Sequence, residues 1–401
     1  MEKEIRQIIQ DGENSLVEFK TPDVSPQSLA EEISAFANVR GGEIFIGISD
    51  DGRVSGIDKA RIKNLEEAVM NICRNNILPP LIPMFETTTV DGKVIARIQV
   101  SEGLEKPYQT ASGKYMIRVG STKRNSSRQE LLRLFQNAGV VHIDGKPVPG
   151  ASKQDLDLDK IKRYFKDVYE LDMGTMDEVE TRALLVNASL AEIVHAKFCP
   201  SMAGLLFFSR KEGVVTALEK YLPQAGIQFV YYQDQDLEDI FDRLDCYDPS
   251  PEAIDTILHK LKLNWKTSSV IRGMKREELK FPQGVLRELL VNAVVHRDYS
   301  IHAKIQIKMQ PGIIEITNPG RLINTVTIEK MKAGISISRN PIILKFMQNY
   351  RYADQLGRGI PMVFRKISAM PGFSIHLEAR DEMFKARLEF SSENCRRGVI
   401  P

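Results

Sequence analysis

Two Asp-Gly pairs constrain the fold of this chain more than any other feature of its sequence, because each adjoins a stretch with strand periodicity. In EIFIGISDDG, Ile44, Ile46 and Ile48 recur at every second position, which is typical of one face of a β-strand. The second pair joins TTTV to KVIARIQV and predicts a tight β-hairpin. Helical patterns lie between such strands throughout, so the sequence predicts an α+β fold with antiparallel sheets.

The chain of 401 residues is too long for one ordinary hydrophobic core, so we expect a multidomain protein. The stretch NAGVVHIDGKPVPGASKQ is rich in Gly, Pro and Ser and is typical of a linker. In the region after it, AGLLFF and AGIQFVYY are predicted as strands. We predict three segments, with residues 1–136 and 276–401 as domains and residues 137–275 as a connecting α/β region.

The composition is that of a cytoplasmic protein without a membrane partner. The net charge is +2, since 55 Lys and Arg face 53 Asp and Glu, so affinity for nucleic acid requires a local patch. No apolar run approaches the roughly 18 residues of a membrane span, and the start MEKEIRQIIQDGE is no signal peptide. The cysteines have no CxxC spacing and are expected to be reduced thiols. They are Cys73, Cys199, Cys246 and Cys395.

The stretch LRELLVNAVVHRDYS carries polar residues at helical spacing. Glu288, Asn292 and His296 are four residues apart and form one stripe of an α-helix, while apolar residues fill the opposite face. Such a stripe is either a solvated helix edge or the working face of a site. An amide oxygen such as that of Asn292 suits Mg²⁺, and a carboxylate such as Glu288 can orient water.

Two turns that contain glycine follow this helix. A strand ends in ITNPGRL, and LGRGIPMV opens a later helix. Gly357 and Gly359 allow backbone N–H groups to approach a phosphate at a helix start, where the helix dipole favours anions. Together with the polar stripe, these turns predict a nucleotide site.

Residues 288–363 resemble the divergent GHKL-type ATPase module of bacterial proteins described as transcriptional regulators or helicase-related proteins. The matching motifs are the REx₃NAxxHRDYS helix, the I.NPG.L strand end, the SRNP loop and the GxGI helix start. The resemblance implies an α/β sandwich that binds ATP and Mg²⁺, in which Glu288 polarises the water and Asn292 binds the metal ion. The residues that it assigns to the cofactor are Asn292, His296, Asn318, Gly320, Arg339, Gly357 and Gly359.

The chain departs from the GHKL pattern at the adenine contact. Asn318 stands where the typical module has an aspartate that accepts the adenine amino group, and Leu322 replaces the second glycine. An amide oxygen accepts a weaker hydrogen bond than a carboxylate. We therefore expect ATP binding rather than efficient hydrolysis. The sequence also has no GxxxxGK[ST] stretch and hence no P-loop helicase motor.

A second polar group lies near the N-terminus, in GENSLVEFK. Glu18 and Lys20 of a strand point to the same side, and Glu13 precedes them. With Asp50 at the end of the next strand, these residues have the composition of a metal-assisted phosphodiester cleavage site. The carboxylates would hold Mg²⁺ or Mn²⁺, and the lysine would offset transition-state charge. The alternative is an exposed edge strand with acidic turns.

Residues 10–135 resemble the Schlafen AlbA-like domain through GENSLVEFK, EISAFANVRGGEIFIGISDDGRVSGI and YMIRVGSTKRNSSRQEL. In Schlafen proteins that cleave tRNA or rRNA, glutamates at the positions of Glu13 and Glu18 form the metal site with an aspartate, matched here by Asp50 or Asp51. Many bacterial members are described only as nucleic-acid binding. The resemblance therefore implies an α/β domain that binds nucleic acid and leaves cleavage open.

Six basic residues and one acid, Glu130, lie between positions 114 and 133. This excess predicts a track for nucleic-acid phosphates, and the alternative is a solvated basic face. The cations assigned to nucleic acid are Lys114, Arg118, Lys123, Arg124 and Arg128.

Three functions are compatible with these patterns. The first is a protein that binds ATP and nucleic acid (DNA or RNA), in which the GHKL-like module is a nucleotide switch for the AlbA-like module. GHKL lids commonly change subunit contacts, so this function implies a homo-oligomer. The second is a metal-dependent endonuclease acting on tRNA, other RNA or DNA through Glu13, Glu18 and Asp50. The third is a transcriptional regulator, but relatives of that description often end in a winged helix-turn-helix, and SSENCRRGVIP leaves no room for one.

Overall fold

The computed structural model describes residues 2–233, 237–265, 269–272, 275–278, 280–323, 326–353, 357–380 and 383–390. The chain divides into two compact units, Met1–Val141 and His142–Pro401. Helices and strands interleave in both, so the α+β fold class predicted from the sequence is confirmed. None of the helices in the described ranges has the length and apolar character that a membrane crossing requires.

The first unit contains four α-helices and eight strands within the described residues. The helices are α1 (Glu2–Asp11), α2 (Pro26–Asn38), α3 (Ile62–Asn75) and α4 (Arg128–Asn137). The strands are β1 (Val17–Lys20), β2 (Gly42–Ile46), β3 (Ile77–Leu78), β4 (Met84–Val90), β5 (Lys93–Val100), β6 (Gln109–Thr110), β7 (Met116–Val119) and β8 (Thr122–Asn125).

A four-stranded sheet in the order β1-β2-β5-β4 organises this unit. Strands β4 and β5 form the predicted hairpin, with Val90 paired to Lys93 across the turn. Asp91 and Gly92 fill that turn with φ of 51° and 75°, the left-handed conformation that Asp-Gly pairs adopt readily. Strand β1 lies at one edge of the sheet and pairs in parallel with β2.

Helix α2 begins at a capping residue, because the side chain of Ser25 accepts a hydrogen bond from the Ser28 N–H and Pro26 occupies the first turn. The helix is buried on more than its apolar face. Asn38, at its end, donates to the carbonyl groups of Tyr108 (2.7 Å) and Met116 (2.8 Å). Helix α2 is thereby joined to the segment that leads into β7.

The second unit contains nine α-helices and twelve strands within the described residues. The helices are α5 (Leu158–Tyr169), α6 (Glu178–Asn187), α7 (Met202–Phe208), α8 (Ala217–Tyr221), α9 (Glu252–Leu263), α10 (Gln283–His296), α11 (Ile328–Lys332), α12 (Pro341–Asn349) and α13 (Gly359–Ser368). The strands are β9 (Ala191–Val194), β10 (Lys197–Pro200), β11 (Lys211–Glu212), β12 (Val215–Thr216), β13 (Ile227–Tyr232), β14 (Ile240–Cys246), β15 (Ser269–Arg272), β16 (Lys275–Glu278), β17 (Ile305–Gln310), β18 (Ile313–Pro319), β19 (Phe373–Arg380) and β20 (Met383–Phe390).

A six-stranded sheet, β14-β13-β17-β18-β20-β19, crosses the second unit. Strand β13, from the predicted connecting region, pairs in parallel with β17 from the predicted C-terminal domain. Both regions also contribute to one hydrophobic core. The division predicted at residue 275 therefore does not separate two compact units.

The prediction of a strand for AGLLFF was wrong, because these residues belong to helix α7. Ser201 caps this helix by accepting a hydrogen bond from the Gly204 N–H at 2.9 Å. Every residue of α7 is buried. An apolar run buried on all sides shows no period, so its sequence does not distinguish a strand from a core helix.

Three of the four cysteines lie within the described residues and are free thiols, as expected from their spacing: Cys73, Cys199 and Cys246. Burial raises the pKa of the Cys73 and Cys246 thiols to about 12, which disfavours their reactive thiolate forms. Cys395 lies outside the described residues.

Candidate functional site

A cavity of about 450 Å³ lies in the second unit, between helix α10, the end of strand β18 and the start of helix α13. Seven of the residues that the sequence assigned to the nucleotide line it. They are Glu288, Asn292, His296, Asn318, Gly320, Gly357 and Gly359. The remaining one, Arg339, is not among the lining residues.

Helix α10 supplies the polar side of this cavity. Leu286 and Leu290 are at most 1% exposed and fix the helix in the core. Glu288, Asn292 and His296 are partly buried and face the cavity together. The stripe at four-residue spacing is therefore not a solvated helix edge.

Glu288 and Asn292 are joined to each other. The Nδ2 of Asn292 donates to the Oε1 of Glu288 (2.7 Å) and to its backbone carbonyl (2.8 Å). Within the described part of the chain, both hydrogen bonds of the Asn292 side chain use its nitrogen, so its oxygen is the atom suited to a cation. The carboxylate of Glu288 lies against Gly359, the first residue of α13, where a Cβ would overlap it. A negative charge at that place is favoured by the α13 dipole.

The cavity glycines permit close packing within the protein. Gly357 has φ of 62°, and a Cβ there would overlap the carbonyl oxygen of Gly334. Gly320 has φ of 121°, and a Cβ there would overlap the Nη1 of Arg339. Because L side chains rarely adopt these φ values, both positions require glycine. The sequence analysis assigned Gly357 to phosphate contacts and Gly320 to the cofactor, whereas both glycines allow other parts of the protein to approach closely.

Asn318 lies at the end of β18, in line with the buried Ile314 and Ile316 on the same face of the strand. The side chain is 5% exposed and lines the cavity. Its Oδ1 is buried and accepts no hydrogen bond within the described structure. A buried carbonyl oxygen without a donor costs about 1–3 kcal/mol. The unpaired amide is thus a group that a ligand could satisfy.

His296 lies at the C-terminal end of α10 and is held neutral. Burial lowers its pKa to about 4, and the positive charge of Arg339 acts in the same direction. Its ring is therefore uncharged near pH 7. In that state one ring nitrogen donates a hydrogen bond and the other accepts one.

The other hallmark residues of the HRDYS and SRNP motifs are structural. Arg339 is 4% exposed, donates to the carbonyl of Arg321 at 2.8 Å and lies 3.3 Å from Asp298. Asn340 donates to the carbonyls of Val295 (2.9 Å) and Arg297 (2.8 Å). It thereby supplies hydrogen bonds to carbonyl groups at the C-terminal end of α10. These contacts tie the loop before α12 to α10, which positions the cavity wall.

Apolar side chains form much of the cavity wall, and the sequence analysis assigned no role to them. They come from strands β18 and β20, helix α11 and the loops around it, so only the fold brings them together around the polar stripe. They include Ile316, Ile323, Met331, Ile335, Ile337 and Phe384.

In the first unit, the predicted acids lie in a network of ion pairs. As predicted, Glu18 and Lys20 extend to the same side of β1, and they contact each other. The Nη2 of Arg118 lies 2.6 Å from the Oε2 of Glu18, and its Nη1 lies 3.2 Å from the Oε2 of Glu32. Lys123 completes the group at 3.1 Å from the Oε1 of Glu32. We call these five side chains the buried ion cluster.

Arg118 is the centre of the buried ion cluster. Its side chain is 1% exposed, and it also donates to the carbonyls of Asn14 (2.8 and 3.1 Å) and Val17 (2.9 Å). Its assignment to nucleic acid is therefore wrong, because a guanidinium buried in this way cannot reach a phosphate. The count of basic residues in the sequence did not include the acids that α2 places beside them.

The two carboxylates of the buried ion cluster are perturbed in opposite directions. Burial pushes the pKa of Glu18 upward, but Lys20 and Arg118 outweigh it and hold that pKa below its ordinary value. Burial also raises the pKa of Glu32, and the adjacent charge of Glu18 adds to this effect. Glu32 was missed by the sequence analysis, since nothing in EEISAF distinguishes it from a solvated helix residue.

The remaining predicted metal ligands, Glu13 and Asp50 or Asp51, do not belong to the buried ion cluster. The Oε1 of Glu13 accepts a hydrogen bond from the Phe19 N–H at 2.8 Å. Asp50 is exposed, and Asp51 accepts hydrogen bonds from Ser49 (2.5 Å) and the Arg53 N–H (3.2 Å) within its turn. In the described ranges, no three His, Cys, Asp or Glu side chains are arranged to hold a metal ion. The cluster as it stands does not fit a divalent cation.

The other cations assigned to nucleic acid differ in exposure. Lys123 is largely buried against Glu31 and Glu32. Lys114 is 42% exposed and lies 2.8 Å from Glu31, and Arg124 is 46% exposed and lies 2.7 Å from Glu130. Arg128, at the start of α4, is exposed.

Two family models match this sequence. The one described as "Schlafen, AlbA_2" matches residues 13–127, and the one described as "Putative ATP-dependent DNA helicase recG C-terminal" matches residues 302–388. The chain carries both domains. The architecture inferred from the motifs is confirmed, and the two matches associate the chain with nucleic acid and nucleotide. The RecG C-terminal match begins after α10, so Glu288, Asn292 and His296 lie outside it.

Solved structures with similarity to the chain include two from structural genomics. The DIP2311 protein from Corynebacterium diphtheriae is 19% identical with a TM-score of 0.44, over 97% of this chain and 80% of that one. The N-terminal domain of a "Putative ATP-dependent DNA Helicase RecG-related Protein" from Nitrosomonas europaea is 22% identical with a TM-score of 0.25, over 31% of this chain and 92% of that one. No curated protein matches the sequence.

Proposed function

We propose that the RecG C-terminal-like unit binds ATP with Mg²⁺ in its cavity, and that the AlbA_2 unit binds nucleic acid under the control of the bound nucleotide. The observation that carries the proposal is the cavity of about 450 Å³ with polar groups on one side and apolar walls on the other. Small-molecule sites commonly have such a volume and such a lining.

The residues that line the cavity fit both the base and the phosphate groups of a nucleotide. The unpaired amide of Asn318 can meet the base, between the apolar Ile316 and Phe384. At the other end, the oxygen of Asn292 would hold Mg²⁺, which prefers oxygen ligands and is usually shared with substrate phosphates. The bound cation would neutralise phosphate charge. Its protein ligands are few, as is usual for nucleotide-bound Mg²⁺.

Glu288 connects nucleotide binding to a change in the protein. Its carboxylate lies at Gly359, the first residue of α13, and a phosphate would be attracted to the same helix start. Two anions at one helix start repel each other. Glu288 must therefore leave α13 when a phosphate binds there, and α13 packs against α10 in the core of this unit. This movement is the basis of the proposed switch, which we expect to act through association of identical chains.

In the AlbA_2 unit, the proposed contacts with nucleic acid are the exposed cations Lys114, Arg124 and Arg128. Arg118 and Lys123 stabilise this region, because their contacts with α2 connect β7 and β8 to that helix. A metal-dependent cleavage reaction is not part of the proposal. Arg118 and Lys20 already contact the carboxylate of Glu18, and a divalent cation would have to displace them.

The proposal is tested by titrating the full chain with a fluorescent ATP analogue in the presence of Mg²⁺. Asn292→Ala should weaken binding by roughly 10-fold or more, because it removes the oxygen that holds the cation. The matched control is Gln283→Ala, at the exposed start of the same helix, which should leave affinity unchanged.

Equal affinity of the wild type and Asn292→Ala would remove the nucleotide assignment. The switch is tested separately by measuring the affinity for labelled RNA and DNA with and without ATP and Mg²⁺. Identical nucleic-acid affinities in the two states would remove the switch and leave two independent binding units.

A further inference from the structure

The nucleotide cavity has a sheet floor with one polar side chain among its described residues. Strands β18 and β20 supply this floor through Ile316, Asn318, Phe384 and Ala386. Ile316 is paired with Ala386, and Asn318 with Phe384, so the amide is bordered by apolar groups along both strands. An apolar neighbour cannot distinguish a hydrogen-bond donor from an acceptor. Selection of the base by the sheet floor therefore depends on Asn318.

The Asn318 amide is not oriented by the protein. Its Oδ1 is buried without a donor, and no hydrogen bond of its Nδ2 to another described residue is found. The side chain is 5% exposed. A buried amide held by no partner can turn over about its last side-chain bond and present either its oxygen or its nitrogen to the cavity.

An amide and a carboxylate at this position differ in what they can recognise. A carboxylate only accepts hydrogen bonds, whereas an amide both donates and accepts. Adenine presents an amino donor beside a ring acceptor, and guanine or hypoxanthine presents a carbonyl acceptor beside a ring N–H. A carboxylate that contacts the 6-substituent binds the amino group of adenine and repels the carbonyl group of the other two bases. An amide can pair with both edges after turning over.

We propose that Asn318 makes this cavity a site for purine nucleoside triphosphates of both kinds, those with a 6-amino and those with a 6-keto group, rather than a site selective for ATP. This inference rests on the proposed nucleotide site and names its substrate class. Asn318 is the specificity-determining residue, and the apolar side chains beside it supply affinity without discrimination.

The test is a competition titration on the full chain, in which ATP, ITP and GTP displace the fluorescent ATP analogue in the presence of Mg²⁺. ITP carries the keto edge without the 2-amino group of GTP, so it separates recognition of the edge from the size of the base. For the wild type we expect the affinities for ATP and ITP to agree within about 10-fold, since each edge makes the same number of hydrogen bonds.

Asn318→Asp should restore selectivity. The preference for ATP over ITP should increase by roughly 10- to 100-fold, because a carboxylate at the 6-substituent accepts a stronger hydrogen bond from the amino group and repels the keto group. The matched control is Thr317→Asp, which places the same charge one residue away on the opposite face of β18 and should leave the ratio unchanged. If Asn318→Asp does not fold, the ATP-to-ITP ratio of the wild type decides by itself.

The outcomes distinguish this inference from the function on which it rests. Wild-type protein that binds ATP but rejects ITP by more than about 10-fold would overturn the inference and leave ATP binding intact. Equal shifts of the ATP-to-ITP affinity ratio by Asn318→Asp and Thr317→Asp would also overturn the inference and leave ATP binding intact. If no nucleoside triphosphate displaces the probe, or the probe itself does not bind, the proposed function fails and the inference fails with it.

Discussion

The two polar groups of this protein differ in how their hydrogen-bonding capacity is used. In the buried ion cluster, Glu18 and Glu32 are surrounded by the cations of Arg118, Lys20 and Lys123. In the cavity of the second unit, Asn318 is 5% exposed and its amide oxygen has no donor among the described residues. Polar groups border an open volume of about 450 Å³ there. Both groups contain the residue types that phosphate chemistry uses.

The difference shows that residue types do not identify a site unless their partners are known. A carboxylate with two cationic partners contributes to the fold, and displacing those partners carries a large desolvation penalty. An amide without a partner destabilises the fold, and a ligand can supply the missing hydrogen bond. We therefore assign a structural role to the cluster and a binding role to the cavity, and the following variants test that assignment.

The largest change in stability is expected for Arg118→Ala. Its removal leaves two buried carboxylates without their shared cation, which should lower the stability of the first unit by about 3–5 kcal/mol. Hydrogen exchange of the amides of β1 and α2 in the full chain measures this loss. The control is Arg124→Ala, which breaks an ion pair with a 46% exposed arginine and should cost about 1 kcal/mol or less. Equal small losses in the two variants would show that Arg118 does not hold the cluster.

Asn318→Leu is expected to change stability by a smaller amount and in the opposite direction, that is, to stabilise the protein. Replacing an unpaired buried amide by an apolar side chain should stabilise the second unit by about 1–2 kcal/mol and weaken nucleotide binding. Trp265 is the single tryptophan and packs against Phe281 and Phe390 in this unit, so its fluorescence during urea unfolding reports the change.

Asn340→Leu is the matched control for that variant. The amide of Asn340 donates to two carbonyls at the end of α10, so the same substitution should destabilise the unit there. A loss of stability in both variants would mean that the amide of Asn318 has a partner within the protein.

The smallest effect on stability is expected for the double variant Lys114→Glu with Arg128→Glu, because both cations lie at the surface. Stability should change by about 1 kcal/mol or less. The affinity for nucleic acid should fall, and the slope of its logarithm against the logarithm of salt concentration should decrease by about 2.

Lys162→Glu with Lys166→Glu changes the net charge equally on α5 of the other unit and serves as the control. An unchanged slope in the Lys114 and Arg128 double variant would place the nucleic-acid contacts elsewhere. An equal decrease in the control would show that the effect depends on net charge alone.

Much of the candidate nucleotide site followed from the sequence because its signals are local. The four-residue spacing of Glu288, Asn292 and His296 determines that they share a helix face, wherever the helix lies. Gly320 and Gly357 were recognisable because each belongs to a short motif, the NPG strand end and the GxGI helix start. Their partners were not recognisable, because Gly334 approaches Gly357 only in the folded chain.

The sequence by itself determined the α+β class, the Asp-Gly hairpin, the cap of α2 and the polar stripe of α10, all of which depend on residues a few positions apart. The tertiary structure alone decided which charges are internal. Arg118 and Glu32 are separated by 86 positions, and their ion pair changes Arg118 from an expected phosphate contact into a core residue. Ion pairing and burial act through space, so the order of residues along the chain does not reveal them.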